Sequence, residues 1–398
     1  MINKSVLIIG YWYLPNNSAR TFHTQGIISS LLKNGYKVEL IVPSENNKTS
    51  VIKEKHNFTI HRVKRGIFLN KNVNAKMYNN NLVNKNSLIK KFIKKIIWPD
   101  KTIEWTLNSY RYIAKQLNIE DYKQLITIGL PISSHITGAL IKKKKSSIIW
   151  LADYGDPYTF NPGRTREKRF MDPWIERNIM KKVDRIIIPH KESLKAYTDL
   201  KIPRDKINVI PQLFQYQPIS APEYNIQSKF INLIYAGTLY EDIRNPIEFL
   251  KGYVEAFKKR NDLCLHFFGE KQDLLYFLNQ ITHEEPEDLN IRVNSYIERR
   301  KLLGIMKEMD ILVNISNISS LQLPSKLIDY VNSGNCILNI GRKLNDEFIN
   351  IPNESMYIEK FLINYNSEGQ SINYDKILEF YNYEINSSKY ISLLRERE

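Results

Sequence analysis

Lys326 and Asp329 stand three residues apart, so on a helix they share one face. Pro324 precedes them, where a first helical turn tolerates a fixed φ and a missing N–H, and Gly334 supplies a stop. Upstream lie the apolar run 311–315 and the polar loop 316–320, and downstream 336–340 is apolar again. A strand, a polar loop and a helix start together make an anion site, because the first backbone N–H groups and the helix dipole converge on one spot. A cation and a carboxylate just inside such a helix suit a sugar nucleotide, with Lys326 meeting the diphosphate and Asp329 the ribose hydroxyls.

The elements that must position these residues follow from periodicity. In the first half, strand-like runs at 6–10, 38–42, 125–128, 148–151, 185–188 and 209–211 alternate with helical stretches such as 20–33. In the second half, 231–236, 263–268, 291–293, 311–315 and 337–340 are strand-like, with helices expected at 246–260, 272–280, 299–309 and 325–332. The alternation predicts an α/β protein of two Rossmann-like domains facing across a cleft, with ligands at the carboxyl ends of the strands. The expected boundaries are 1–212 for the first domain, 213–229 for a linker and 230–375 for the second domain. A C-terminal helix at 376–398 could cross back to the first.

Composition narrows the partners. At 398 residues two cores are expected rather than one. Lys and Arg total 58 against 42 acids, a net +16, which favours an anionic partner: nucleic acid, an acidic membrane surface or phosphorylated substrates. The two cysteines, Cys264 and Cys336, fall in apolar runs and are expected as buried thiols of a reducing compartment. The seven histidines are scattered and no metal-ligand cluster is present in the sequence. No apolar stretch approaches the ~18 residues of a spanning helix. The early strand at 6–10 argues against a signal peptide. The 24 tyrosines are spread throughout rather than interleaved with basic residues on one face, which argues against nucleic-acid binding.

Four motifs of the second half carry a resemblance. They are Ala236, Gly237, Thr238, Leu239 and Tyr240 with Arg244; His266, Phe267, Phe268 and Gly269; residues 295–302 followed by Met309 and Asp310; and Pro324, Ser325, Lys326, Leu327, Ile328, Asp329 and Tyr330 with Gly334. In this order they resemble the donor-binding domain of retaining GT-B glycosyltransferases, the family-4-like enzymes of bacterial capsule and surface-polysaccharide synthesis. The first half is similar to the capsule-type members at Tyr13 to Pro15 with Ser18, Ala19 and Arg20, and at Trp98, Pro99 and Asp100 with Trp105. It is similar again at 129–135, at Ala152, Asp153, Tyr154, Gly155, Asp156 and Pro157, and from 182 to 211. Together the matches span residues 5 to 340. The chain departs from the family in carrying Asp329 for the usual glutamate and Leu321 and Gln322 where many members carry a further glutamate.

The resemblance implies transfer of a sugar from a nucleoside-diphosphate donor, UDP or GDP type, to a lipid-linked or other glycan of capsule, O-antigen or related polysaccharide. Transfer would be metal-independent and retaining, with no cofactor, and the leaving phosphate would take the acceptor's proton. Gly237, Thr238, Arg244, Gly269, Ser316, Pro324, Ser325, Lys326 and Asp329 would hold the donor. Arg244 and Lys326 would offset the charge of the leaving diphosphate. Asp153 and Asp156, at the carboxyl end of a strand, could act on the acceptor hydroxyl or form an Asp-Pro turn and a loop cap. Ser18, Arg20 and His135 could contact the acceptor, with capping or packing as the alternative for His135. The other reading is a sugar-nucleotide or polyanion binding protein of the same fold without transferase activity, motivated by the missing upstream glutamate.

One further pattern concerns location. From Leu88 to Ile97 apolar residues occupy 88, 89, 92, 93, 96 and 97 and lysines occupy 90, 91, 94 and 95. On a helix these form two opposed faces. The pattern fits a helix lying on an anionic membrane, or an ordinary helix packed on the first domain. Lys142, Lys143, Lys144 and Lys145 add a second basic run. The expectation is a cytoplasmic protein, peripheral on the inner face of the cytoplasmic membrane.

Overall fold

The structure, a computed structural model, describes residues 4–16, 18–66, 98–161, 170–215, 224–242, 244–317, 326–366 and 373–395. The expected membrane helix 88–97, the segment 321–325 with Pro324 and Ser325, and part of the expected linker lie outside the described residues. The chain divides into two compact units, Met1–Gln215 together with Tyr383–Glu398, and Tyr216–Asn382.

The first unit opens with β1 (Ser5–Gly10), α1 (Ala19–Lys33) and β2 (Lys37–Pro43). It continues with β3 (Ser50–Lys55), β4 (Phe58–Val63), α2 (Ile103–Gln116), β5 (Gln124–Ile128), α3 (Ser133–Lys144) and β6 (Ile149–Asp153). Then come α4 (Asp172–Lys182), β7 (Arg185–Ile188), α5 (Leu194–Asp199) and β8 (Ile207–Val209). The sheet order is β3-β4-β2-β1-β5-β6-β7-β8, parallel except for the antiparallel β3. Every residue of β1 is buried, as a parallel strand covered on both faces requires. Helix α1 starts where the Ser18 hydroxyl accepts the Thr21 N–H at 3.2 Å, and it stops at Asn34 and Gly35, the latter with φ +77°.

The second unit runs β9 (Ile231–Ala236), α6 (Ile247–Lys259), β10 (Leu263–Phe268), α7 (Lys271–Leu278), β11 (Ile291–Asn294) and α8 (Arg299–Lys307). It ends with β12 (Ile311–Ile315), α9 (Lys326–Ser333), β13 (Cys336–Ile340), β14 (Ile349–Ile351), α10 (Ser355–Asn364) and α11 (Asp375–Phe380). Its parallel sheet has the order β11-β10-β9-β12-β13-β14. Apolar layers cover both faces. Tyr235, Phe267, Val313 and Leu338 pack under α6, α7 and α10, while Ile234, Phe268, Leu312 and Ile337 pack under α8, α9 and α11.

The last helix, α12 (Tyr383–Ser392), belongs to the first unit. Tyr390, Ile391 and Leu394 join that unit's core, and the Tyr383 hydroxyl donates to the Gly26 carbonyl at 2.8 Å. Among the described residues no helix is long and apolar enough to cross a membrane.

Each sheet has one place where strand order reverses. In the second unit the chain builds outward from β9 through β10 to β11, then returns to place β12 on the other side of β9. In the first unit β1 lies between β2 and β5. Connections leaving two such neighbours at their carboxyl ends go to opposite faces of the sheet and open a crevice between them.

Candidate functional site

In the second unit the crevice lies at the carboxyl ends of β9 and β12, and of the residues expected to hold a donor Gly237 and Thr238 follow β9. Gly237 follows β9 with φ +124°, and no atom lies within 4 Å of where its Cβ would be, so its backbone is open to a ligand. Gly269 follows β10. A Cβ there would come within 2.9 Å of the Gly237 carbonyl oxygen, so the two loops can approach this closely because residue 269 is glycine. The Thr238 hydroxyl is bonded to that of Tyr296 at 2.8 Å, tying the β9 loop to the β11 loop.

Arg244 lies opposite Tyr240 in an isolated bridge, with its guanidinium 5.2 Å from the Tyr240 ring centre. Its Nε is buried without a hydrogen-bond partner. The Lys326 Nζ, in the first turn of α9, lies 3.9 Å from the Tyr235 ring centre and 5.4 Å from that of Tyr330, and it donates to the Val313 carbonyl at 3.4 Å. Among the described residues no carboxylate forms an ion pair with Lys326. Burial, and then the positive charge of Arg244, push its ammonium well below the ordinary lysine value. Two cations that repel one another, with Lys326 lacking a carboxylate partner among the described residues, favour an anion with more than one charge.

Asp329 is not a free carboxylate. The Arg299 Nε donates to its Oδ2 at 3.2 Å and the Arg299 Nη2 to its Oδ1, forming a two-pronged pair between α8 and α9. Ser316, expected among the donor contacts, is buried. Its backbone N–H reaches the Ile340 carbonyl at 2.9 Å and its hydroxyl accepts the Arg342 N–H at 2.7 Å, so it clips together the ends of β12 and β13. Beneath it Asn314, Asn339 and Asn350 form a ladder across three strands at 2.8 and 2.7 Å.

In the first unit the crevice lies at the ends of β1 and β5. Arg20 projects from the first turn of α1, and its Nη1 donates to Asp153 Oδ1 at 3.2 Å. Its Nη2 occupies the notch left by Gly155, where a Cβ would sit 1.1 Å away, and it has no hydrogen-bond partner. His23 completes the arrangement. The Leu213 N–H donates to His23 Nδ1 at 2.8 Å, so the ring proton is on Nε2, which donates to Asp153 Oδ2 at 2.9 Å.

These contacts correct the role expected of Asp153. Both oxygens are engaged and the residue is buried; burial opposes ionisation, but His23 and Arg20 outweigh it and hold the carboxyl below the usual range. Such a carboxylate is a weak base, and its place here is to fix Arg20 and His23. Asp156 is half-buried three residues on. His135 also differs from expectation. It is 1% exposed, bonded through Nδ1 to the Thr127 hydroxyl at 2.7 Å and stacked on Tyr154 at 4.1 Å. Burial lowers its pKa to about 3, so it is a neutral packing group under Gly129 and not a surface contact for an acceptor. Ser18 serves as the cap of α1.

The basic run 142–145 is likewise divided. Lys142 pairs with Asp184 at 2.7 Å and Lys145 binds the carbonyls of Glu120 and Tyr122 at 2.8 and 3.0 Å, leaving Lys143 and Lys144 exposed. Among the described residues no cluster of histidine, cysteine and carboxylate side chains could hold a metal ion.

Several positioning residues escape sequence reasoning. Glu176 of α4 is fully buried and accepts the N–H groups of Tyr158 and Thr159 at 3.0 and 2.8 Å, so one carboxylate pins the loop after Asp156. Asp100 accepts the N–H and hydroxyl of Ser133 at 3.3 and 2.8 Å and caps α3 from a distance of 33 positions. Nothing local marks His23 or Glu176, and the motif 295–302 that contains Arg299 gives no local sign of its partner. Their partners lie 130, 17 and 30 positions away.

No protein-family model matches the chain, and no curated protein matches it. Solved structures do. Sucrose-phosphate synthase from Thermosynechococcus elongatus aligns with a TM-score of 0.64 at 12% identity over 98% of each chain. The E. coli trehalose-6-phosphate protein bound with UDP-2-fluoro glucose gives 0.67 at 9% identity over 99% of each chain. TarM gives 0.62 at 12% identity, again over 99% of each chain. The fold is that of the GT-B glycosyltransferases. At these identities the GT-B likeness concerns architecture, and residue roles rest on the geometry above.

Proposed function

We propose that the protein is a glycosyltransferase that moves a sugar from a nucleoside-diphosphate donor, of the UDP or GDP type, to a glycan hydroxyl with retention. The observation that carries this reading is the cation pair Arg244 and Lys326 beside the open Gly237 loop, at the strand-order reversal of a GT-B-type second unit. In the proposed step the bond from the anomeric carbon to the diphosphate oxygen breaks and one to the acceptor oxygen forms on the same face. The acceptor's proton passes to the leaving phosphate. Arg244 and Lys326 offset the charge gathering on that phosphate, a task that two fixed cations perform without requiring a metal. Gly237 and Gly269 let the diphosphate approach the backbone, Thr238 and Ser316 shape the loops around it, and Asp329 receives the ribose hydroxyls. Pro324 and Ser325 enter this reading from the sequence alone. Arg20, held by Asp153, and the loop of Asp156 line the acceptor side.

The test is calorimetric titration of UDP, GDP and their sugars into the wild-type protein and into Lys326→Ala and Arg244→Ala. A hydrogen bond to a charged group contributes about 1.5–3 kcal/mol, so each variant is expected to lose about 10- to 150-fold in diphosphate affinity. Unchanged affinity in both variants would refute the clamp. We further propose a lipid-linked acceptor of capsule or O-antigen type, met at the inner face of the cytoplasmic membrane through the sequence pattern 88–97. Co-sedimentation with anionic but not neutral vesicles would support that location. A second reading, sugar-nucleotide binding without transfer, is favoured by Leu321 and Gln322 standing where a glutamate is usual. Transfer of labelled sugar to any acceptor would exclude it.

A further inference from the structure

We propose that Arg299 is a positioning residue for recognition of the donor ribose: its fork fixes the Asp329 carboxylate so that the lone pairs it leaves open accept the two vicinal hydroxyls. The inference rests on the assignment of Asp329 to the ribose and deepens it. An ionised carboxylate offers about four lone-pair directions, and a two-pronged arginine uses two of them, one on each oxygen. The Nε and Nη2 groups of Arg299 each take one oxygen of Asp329, so both oxygens keep one direction open, with the carboxylate plane fixed.

The arrangement also answers a geometric difficulty. Aspartate is one methylene shorter than glutamate, so a carboxylate on α9 has less reach and must be held in one orientation to meet two hydroxyls. Arg299, the first residue of α8, supplies that hold from the neighbouring helix. Both side chains are largely buried, at 17% and 15% exposure, so the pair is poorly screened by solvent. Among the described residues the charged group paired with Asp329 is Arg299 from α8, while the neighbouring Tyr330 hydroxyl is bonded to the Val313 carbonyl and the Ala236 N–H. Burial raises the Asp329 pKa above the usual range and Arg299 works against that rise, so loss of the guanidinium carries it higher still.

The experiment compares UDP and GDP with their 2′-deoxy counterparts, titrated into wild-type protein, Arg299→Gln and Arg299→Lys between pH 6 and 8. The wild type is expected to prefer the ribonucleotide by about tenfold, the equivalent of a hydrogen bond to a charged group. In Arg299→Gln that preference falls to about twofold, and ribonucleotide affinity declines on acidification from a higher pH than in the wild type, because a protonated carboxyl no longer accepts two hydroxyls. Arg299→Lys restores the charge without the fork, so it recovers the wild-type pH profile but only part of the preference. If Arg299→Gln, or Arg299→Lys where the first variant does not fold, keeps the full preference and the wild-type pH profile, Arg299 is structural only and the proposal is overturned. A wild-type protein that binds both forms equally overturns the ribose assignment of Asp329 itself. That outcome is distinguishable because it appears before any substitution is made.

Discussion

Lys326 feels the positive charge of Arg244 and has no carboxylate partner among the described residues, and that imbalance makes its protonation responsive to a ligand. Its pKa is depressed in the free protein, and a bound diphosphate raises it. Between those two values, binding takes up a proton. Calorimetric titration of UDP or GDP in buffers of different ionisation heat should therefore show net uptake for the wild type and none for Lys326→Arg, which stays charged throughout. A second residue-scale prediction concerns Gly155. A methyl group there would lie 1.1 Å from the Arg20 Nη2, so Gly155→Ala must push the guanidinium off its Asp153 partner while leaving the second unit untouched. Steady-state kinetics should show a higher acceptor KM at unchanged donor affinity. A parallel loss of donor affinity would contradict the placing of Arg20 on the acceptor side.

At the scale of elements, the loop from Asp153 to Thr159 depends on α4 through Glu176. Removing that carboxylate leaves the N–H groups of Tyr158 and Thr159 unpaired in a buried place, at about 1–3 kcal/mol each. Glu176→Ala should lower the first unit's melting temperature by several degrees. Glu176→Gln, which keeps one acceptor, should lower it less, with scanning calorimetry as the measurement. Elements that form unbroken apolar runs were legible, whereas β4, interrupted by Thr59, His61 and Arg62, went unread although most of its residues are buried. The strands at 231–236, 263–268 and 311–315 stand where periodicity put them, because parallel strands covered on both faces become unbroken apolar runs. The helix after them ends at Gly334 with φ +82°, as the glycine announced. Strand β3 went unread because all six of its residues are exposed, so neither apolar run nor alternation marks it. The short strand β14 and the helices α4 and α10 were passed over for want of a clear stripe or cap. Arg244 and Lys326 were singled out because they sit in local motifs. The contacts of His23 with Asp153, of Glu176 with Tyr158 and Thr159, and of Arg299 with Asp329 were not, since they join residues distant in sequence.

At the scale of the molecule, α12 ties the end of the chain to its beginning. Tyr390, Ile391 and Leu394 are 1%, 5% and 0% exposed within the first unit's core. Stripping a single large apolar side chain from a core costs about 2–5 kcal/mol, against about 5–15 kcal/mol for the net stability of a whole domain. A chain ending at Asn382 should therefore lose the first unit's cooperative unfolding transition and keep that of the second unit, whose core receives nothing from α12. Calorimetry of that chain should show one transition where the full chain shows two, and survival of both would mean that the helix is dispensable.

The return of α12 also sets an order of events during synthesis. The ribosome delivers residues 1–215 before 383–394, so the layer built from Tyr390, Ile391 and Leu394 cannot close until that later segment has emerged. The second unit, continuous from Tyr216 to Asn382, is complete before that moment and can fold while the first still waits. The half made first thus matures after the second, and the apolar floor under α1 stays open to chaperones until residues 383–394 have emerged.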